Sequence, residues 1–190
     1  FVDEKLLFTE KGKLVNGTIY LNGLNAAGIQ TTTQSISEGV TGTCMVLISP
    51  DSERTMHTYL GITAELTAEQ IDFEPLKTAK WLYIEGYLST SDTARVAVKQ
   101  ARELAKANGV KIALSLSDPA MVQYARQGLE ELLDDGVDLL FCNEQEALMF
   151  TNTENLDAAI EILKLKNQHI VITQGANGAV IIDPTQQFHV

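Results

Sequence analysis

The sequence predicts an α/β protein with a mostly parallel central sheet and a small antiparallel β-hairpin set apart from it. Three observations lead there. From Lys80 onward, short apolar runs alternate with segments of helical periodicity, the pattern of βαβ units. The run VDLLFC, residues 137–142, is almost unbroken in apolar character, as a strand with both faces covered would be. In the first third of the chain, two β-like runs flank Asp51-Ser52-Glu53 with no helix between them.

Taken in order, residues 1–15 and 16–29 form no continuous supersecondary unit, although Asn16-Gly17 offers a helix start. TCMVLISP (43–50) and RTMHTYLG (54–61) make a hairpin, since Pro50 and Asp51 favour a turn. WLYIEGY (81–87) is the first strand of the repeating part. Thr90, Ser91 and Asp92 then supply N-caps for a helix over 92–108, stopped by Gly109. Ala94, Ala97, Ala101, Leu104 and Ala105 recur on one face of it, small enough for close packing on a sheet. VKIALSLS (110–117) is the next strand, and Pro119 opens a helix that runs to the Asp134-Asp135-Gly136 turn. After 137–142, short helices are predicted over 144–150 and 156–166, then strands over 169–175 and 178–183. Only a short turn separates the last two strands, so they pair antiparallel at one edge.

Bulk properties exclude several function classes. The 190 residues suffice for a sizeable core, and the apolar share of 45 % is ordinary. A formal charge of −11 argues against non-specific binding to nucleic acid, which depends on clustered Lys and Arg. Backbone N–H groups at a helix start can still hold phosphates locally. Cys44 and Cys142 form no C-x-x-C pair and read as reduced core thiols, and His57, His169 and His189 lack zinc-ligand spacing. No apolar stretch reaches the roughly 20 residues that span a bilayer. The opening FVDEKLL has no apolar core of a signal peptide, so a cytoplasmic protein is expected.

The chemistry-bearing candidates stand at the ends of apolar strands, where open α/β sheets bind ligands. Asn143 and Glu146 fall on the first turn of a helix and share a side, a pair able to hold hydrated Mg²⁺. The same residues also read as an N-cap with its N3 glutamate, and the two readings are compatible. Thr173, Gln174 and Gly175, followed by Gly178, place a hydroxyl and glycines at another strand end, suited to a phosphate or ribose. Gly175-Ala176-Asn177-Gly178 is equally what a tight hairpin requires. Asp118 either caps the following helix or approaches a phosphate through metal or water, and Arg54 is either an exposed strand arginine or a substrate contact.

Together these segments resemble the PfkB, or ribokinase-like, carbohydrate kinase family, in its adenosine-kinase-like branch. Gly42 to Ile48, Pro50-Asp51, Glu53 to Met56 and Leu60-Gly61 are similar to the lid hairpin of that branch. Asn143-x-x-Glu146 looks like the family's N-x-x-E motif, and Thr173-Gln174-Gly175 with Gly178 resembles its T-x-G segment. The resemblance implies a three-layer sandwich with a mostly parallel sheet and a β-hairpin lid. On that basis residues 1–15 and 40–63 form the lid, and 16–39 and 64–190 the kinase body. It implies ATP and Mg²⁺ as cofactors and transfer of the γ-phosphate to a hydroxymethyl group of a sugar or nucleoside. Asn143 and Glu146 would hold Mg²⁺ through water, Thr173, Gln174, Gly175 and Gly178 would line the nucleotide, and Cys44, Met45, Arg54 and Asp118 would serve the substrate and lid. Lids of this family can pair across a homodimer. The family's glycine-rich N-terminal signature and its G-A-G-D segment are not found here, so the catalytic Asp is expected beyond Val190, and a stretch is expected to be missing between Val15 and Asn16. A non-catalytic ribokinase-like protein that binds a nucleotide or sugar is the alternative.

Overall fold

The computed structural model describes residues 15–30, 39–50 and 54–190. The lid segment expected over residues 1–15, all but Val15, and the Asp51-Ser52-Glu53 turn lie outside them. The chain divides into two units, Phe1–Asp72 and Phe73–Val190.

In the first unit, helix α1 spans Val15–Ala26. Strands β1 (Thr43–Ile48) and β2 (Arg54–Tyr59) pair antiparallel, as the two β-like runs predict. Their register sets Cys44 opposite Thr58, Met45 opposite His57 and Ile48 opposite Arg54. The Thr58 hydroxyl donates to Cys44 Sγ across the pair at 3.5 Å. A short 3₁₀ turn, Gly61–Glu65, follows, anchored where Ile62 N–H donates to the Val40 carbonyl at 3.0 Å.

The second unit holds a six-stranded sheet in the order β3-β4-β5-β6-β7-β8. β3 (Trp81–Glu85), β4 (Lys111–Ser115), β5 (Leu139–Asn143) and β6 (His169–Thr173) run parallel, each beside its predecessor. β7 (Ala179–Ile182) and β8 (Gln187–His189) continue the edge antiparallel. Because each parallel crossover advances one strand in the same direction, right-handed connections place the intervening helices on one face. Burial follows that face. Ile84, Ile112, Leu114, Leu140, Cys142, Ile170, Ile172, Val180 and Ile182 alternate along the strands and are all buried in one apolar cluster. The opposite face carries Trp81 and Tyr83, 44 % and 53 % exposed, with the Lys111 ammonium 5.4 Å from the Trp81 ring.

The helices form where local signals place them. In α2 (Asp92–Ala107) the Ser91 hydroxyl accepts from Ala94 N–H at 3.3 Å, and Ala94, Ala97, Ala101 and Ala105 are all buried. Asp118 caps α3 (Pro119–Tyr124) by accepting from Ala120 N–H at 2.7 Å. The single helix predicted from Pro119 to Asp134 is instead two, because the chain breaks at Ala125 before α4 (Arg126–Leu133). Two tertiary demands meet at the break. The Arg126 guanidinium donates to the carbonyls of Met149 and Phe150 at 3.1 and 2.6 Å, at the end of α5 (Glu144–Thr151). Gly128 packs so closely on the Ser89 backbone that a Cβ would overlap its carbonyl.

Arg102, buried in α2, donates to the carbonyls of Leu133 and Gly136 at 3.2 and 3.0 Å, and so satisfies backbone acceptors where α4 ends. β5 begins at Leu139 rather than Val137, because the Asp138 carboxylate accepts from Ile112 N–H at 2.7 Å where a ladder bond would otherwise stand. α6 (Leu156–Lys164) is capped by Asn155, which accepts from Ala158 N–H at 2.9 Å. β8 lies beyond the strands that the sequence predicts. Its signal is Asp183-Pro184, where the Asp183 carboxylate accepts from Thr185 and Gln186 N–H at 2.7 and 2.8 Å and turns the chain.

Leu140 is fully buried in the middle of the ladder, so Leu140→Ala is expected to cost about 3 kcal/mol in urea unfolding, as cavity-forming substitutions do. Leu165→Ala, at a site 82 % exposed, should stay within about 0.5 kcal/mol of the wild type in the same measurement.

Candidate functional site

The parallel strands β4, β5 and β6 deliver three chain segments to one edge of the sheet. β4 leads into Ser115-Leu116-Ser117-Asp118, β5 ends on Asn143, and β6 ends on Thr173. Asn143 and Thr173 are Cα partners in the register, so the two motifs read from the sequence stand side by side.

Asn143 and Glu146 form a closed capping box. Asn143 Oδ1 accepts from Glu146 N–H at 2.7 Å, and Glu146 Oε2 accepts from Asn143 N–H at 2.9 Å. A third bond runs from Asn143 Nδ2 to Glu146 Oε1 at 2.8 Å. Glu146 is 4 % exposed, and burial holds its carboxyl above the usual carboxylate range. The Asn143 N–H bond opposes that shift, and the charge of Asp118 adds to it. Burial likewise raises the Cys142 thiol, with Glu146 contributing, so Cys142 is an inert core thiol.

Asp118 thus serves as a helix cap and also lies close enough to act on Glu146. The residue before it, Ser117, has φ +73°, a conformation costly for a residue with a Cβ. Its hydroxyl accepts from Gly86 N–H at 2.7 Å and donates to Glu85 at 3.0 Å, which ties the end of β3 to the end of β4. The sequence places Ser117 only as the residue leading into Asp118 and gives Glu85 no role, since nothing local marks a serine for the left-handed region.

On the β6 side, Thr173 is exposed and Gln174 turns back onto α5, its Nε2 donating to Glu144 Oε2 at 2.8 Å. Gly175 has φ +58° with open space around the position of a Cβ. Gly178, at φ +88°, is required by packing instead. A Cβ there would overlap the Val190 carbonyl, where the backbone of Ala179 pairs with that of Val190. Gly178 therefore matches the hairpin-turn reading. Cys44, Met45 and Arg54 belong to the hairpin of the first unit, with Cys44 half-buried and Met45 and Arg54 exposed.

Among the described residues, no three or more His, Cys, Asp or Glu side chains gather as a metal-binding group. The carboxylates of Asp118 and Glu146 with the Asn143 amide suit a hard cation that keeps most of its water, which is how Mg²⁺ binds. No described helix is long and apolar enough to cross a membrane.

The burial of Glu146 gives folding stability a pH dependence whose sign follows from its raised carboxyl. The proton affinity of Glu146 is higher in the folded chain, so its contribution to stability is complete below the ordinary value of 4.5 and is lost as pH rises through the raised value. Glu146→Gln removes that slope. In urea titrations from about pH 4 to about pH 8, the stability difference between variant and wild type should shift in the variant's favour above the ordinary value and level off once pH has passed the raised one.

Comparison with known proteins gives a consistent picture. A family model for pfkB family carbohydrate kinases matches residues 8–190. Guanosine-inosine kinase of Escherichia coli (strain K12) is 30 % identical over 117 residues, 60 % of this chain and 27 % of that protein. Adenosine kinase from Sinorhizobium meliloti superposes with a TM-score of 0.86 at 32 % identity, over 92 % of this chain and 54 % of that one. A probable sugar kinase from Rhizobium etli CFN 42 gives 0.86 at 30 % identity, over 92 % and 53 %. A putative ribokinase II from E. coli, solved with ATP and Mg²⁺, shares the fold at a TM-score of 0.81 and 24 % identity. The chain spans about a quarter of the curated relatives' length and about half that of the solved structures. With its mostly parallel sheet, flanking helices and separate antiparallel hairpin, the chain has a ribokinase-like fold and belongs to the pfkB family of carbohydrate kinases.

Proposed function

We propose that this chain is part of an ATP-dependent kinase that transfers the γ-phosphate to a hydroxymethyl group of a nucleoside or furanose sugar. The observation that carries the reading is the meeting of Asp118, the Asn143–Glu146 box and Thr173 at the carboxyl ends of three adjacent parallel strands. The match over residues 8–190 supports it, and the names of the relatives, guanosine-inosine kinase and adenosine kinase, favour a nucleoside acceptor.

In this reading Glu146 and Asn143, with Asp118 beside them, hold Mg²⁺ through its water. When bound, that ion neutralises charge spreading over the phosphoryl oxygens. The capping box keeps the Glu146 carboxyl in one orientation, so little reorganisation is needed when a cation arrives. The exposed Thr173 hydroxyl donates to a phosphate or ribose oxygen, and the open side of Gly175 lets the backbone approach the nucleotide. Cys44, Met45 and Arg54 are assigned to the acceptor-side lid through which the family can form homodimers, and the acceptor's proton goes to an Asp outside these residues. The protein acts in the cytoplasm on small molecules.

Assay of the full-length protein with ATP and guanosine, inosine, adenosine, ribose or fructose tests the reading. Phosphoryl transfer to a nucleoside is the expected result. ATP binding without transfer to any acceptor would point to a non-catalytic binding protein. In the active enzyme, Glu146→Gln should lower kcat by about tenfold and raise the Mg²⁺ concentration needed for half-maximal rate. An unchanged Mg²⁺ dependence would leave Glu146 as a helix cap alone.

A further inference from the structure

Where the β5–β6 ladder ends, a side-chain bond takes its place. The last backbone pair is Asn143 with Thr173. One residue further along both chains, Glu144 begins α5 and Gln174 enters the turn, and the backbones no longer pair. At that step Gln174 Nε2 donates to Glu144 Oε2 at 2.8 Å, in a partly buried position. Gln174 is also the hub of its own turn. Its N–H donates to the Gly178 carbonyl at 2.8 Å, and its carbonyl accepts from Asn177 N–H at 3.1 Å. The turn is therefore held from three sides by a single residue, and one of those sides is α5.

Building on the phosphate-side reading above, we propose that Glu144 and Gln174 are a pair of positioning residues. They form a brace that fixes the Thr173–Gly175 segment relative to the Asn143–Glu146 box, so that both present to one nucleotide together. The consequence for Gln174 is specific. Its amide is committed to Glu144, so its contribution to ligand affinity is preorganisation rather than direct contact. Glu144 gains a role distinct from that of Glu146, although both fall in the first turn of α5. Glu146 closes the cap on its own helix, whereas Glu144 reaches across to the next strand's exit. Lining both sides of the nucleotide with loops would leave each free to move independently, and a bond between them removes that freedom before the ligand arrives.

The pair lends itself to an exchange of roles. In the double variant Glu144→Gln with Gln174→Glu, the new glutamine amide donates to the new carboxylate, and the bond is re-formed with its polarity reversed. Three variants of the full-length protein, Glu144→Ala, Gln174→Ala and the exchanged pair, are compared by amide hydrogen exchange without ligand and by ATP titration calorimetry. The single variants should speed exchange at the Asn177 and Gly178 amides by about tenfold and weaken ATP binding about fivefold. The exchanged pair should return both quantities to within about twofold of wild type. Single variants that leave exchange and affinity unchanged would overturn the proposal. So would an exchanged pair no better than the single variants, or an affinity loss that merely tracks a lower urea midpoint of the whole unit. Wild-type protein that fails to bind ATP would sink the nucleotide reading instead, while the brace itself is still decided by exchange in the ligand-free state.

Discussion

The parallel ladder β4–β5–β6 is the constraint from which the candidate site follows. Its core-facing side chains, Ile112, Leu114, Leu140, Cys142, Ile170 and Ile172, are all buried. Shifting any strand by one residue would turn that apolar row to the other face, so the register is held by the hydrophobic effect rather than by the polar groups at the strand ends. Those polar groups inherit their positions. Asn143 meets Thr173 because Leu140 meets Ile170 three residues earlier. Asp118 comes near Glu146 because β4 and β5 run side by side and their following helices lie on the same face of the sheet.

In the proposed function, the Asn143–Glu146 box serves both folding and chemistry with one set of atoms. As a cap, it satisfies N–H groups at the start of α5 that have no partner within the helix. As a candidate site, it keeps a buried carboxylate in one orientation, with its proton affinity raised by burial and by Asp118. A carboxylate in that condition is destabilised in its charged form until a cation comes near. The helix cap is therefore compatible with the proposed cation-binding role. The neighbouring strain at Ser117, braced by Gly86 and Glu85, sets the backbone direction from which Asp118 departs.

Legibility in the sequence followed the range of the interaction. Ser91 before a run of spaced alanines, Asp118 before Pro119 and Asn143 before Glu146 are local signals, and each marks a helix start where the structure has one. The β1–β2 hairpin and the antiparallel β6–β7 pair were legible for the same reason, since short connections leave adjacent strands few other arrangements. What escaped was set by partners distant in sequence. The break at Ala125 depends on Met149, Phe150 and Ser89, and the late start of β5 depends on Ile112. Of the candidate site residues, Asn143, Glu146, Thr173 and Asp118 stand out in the sequence by type and place. Glu144 and Ser117 do not, because their partners are 30 or more residues away in the chain.

The sequence alone determined the α/β class, the order of strands and helices, the caps and the motifs at strand ends, since each rests on periodicity or on bonds spanning a few residues. Tertiary structure decided which motifs meet, which glycine is needed for packing and which is open, and that Gln174 faces Glu144. Those outcomes come from strands packing across the core, where apolar burial selects one register and carries the polar residues to their partners.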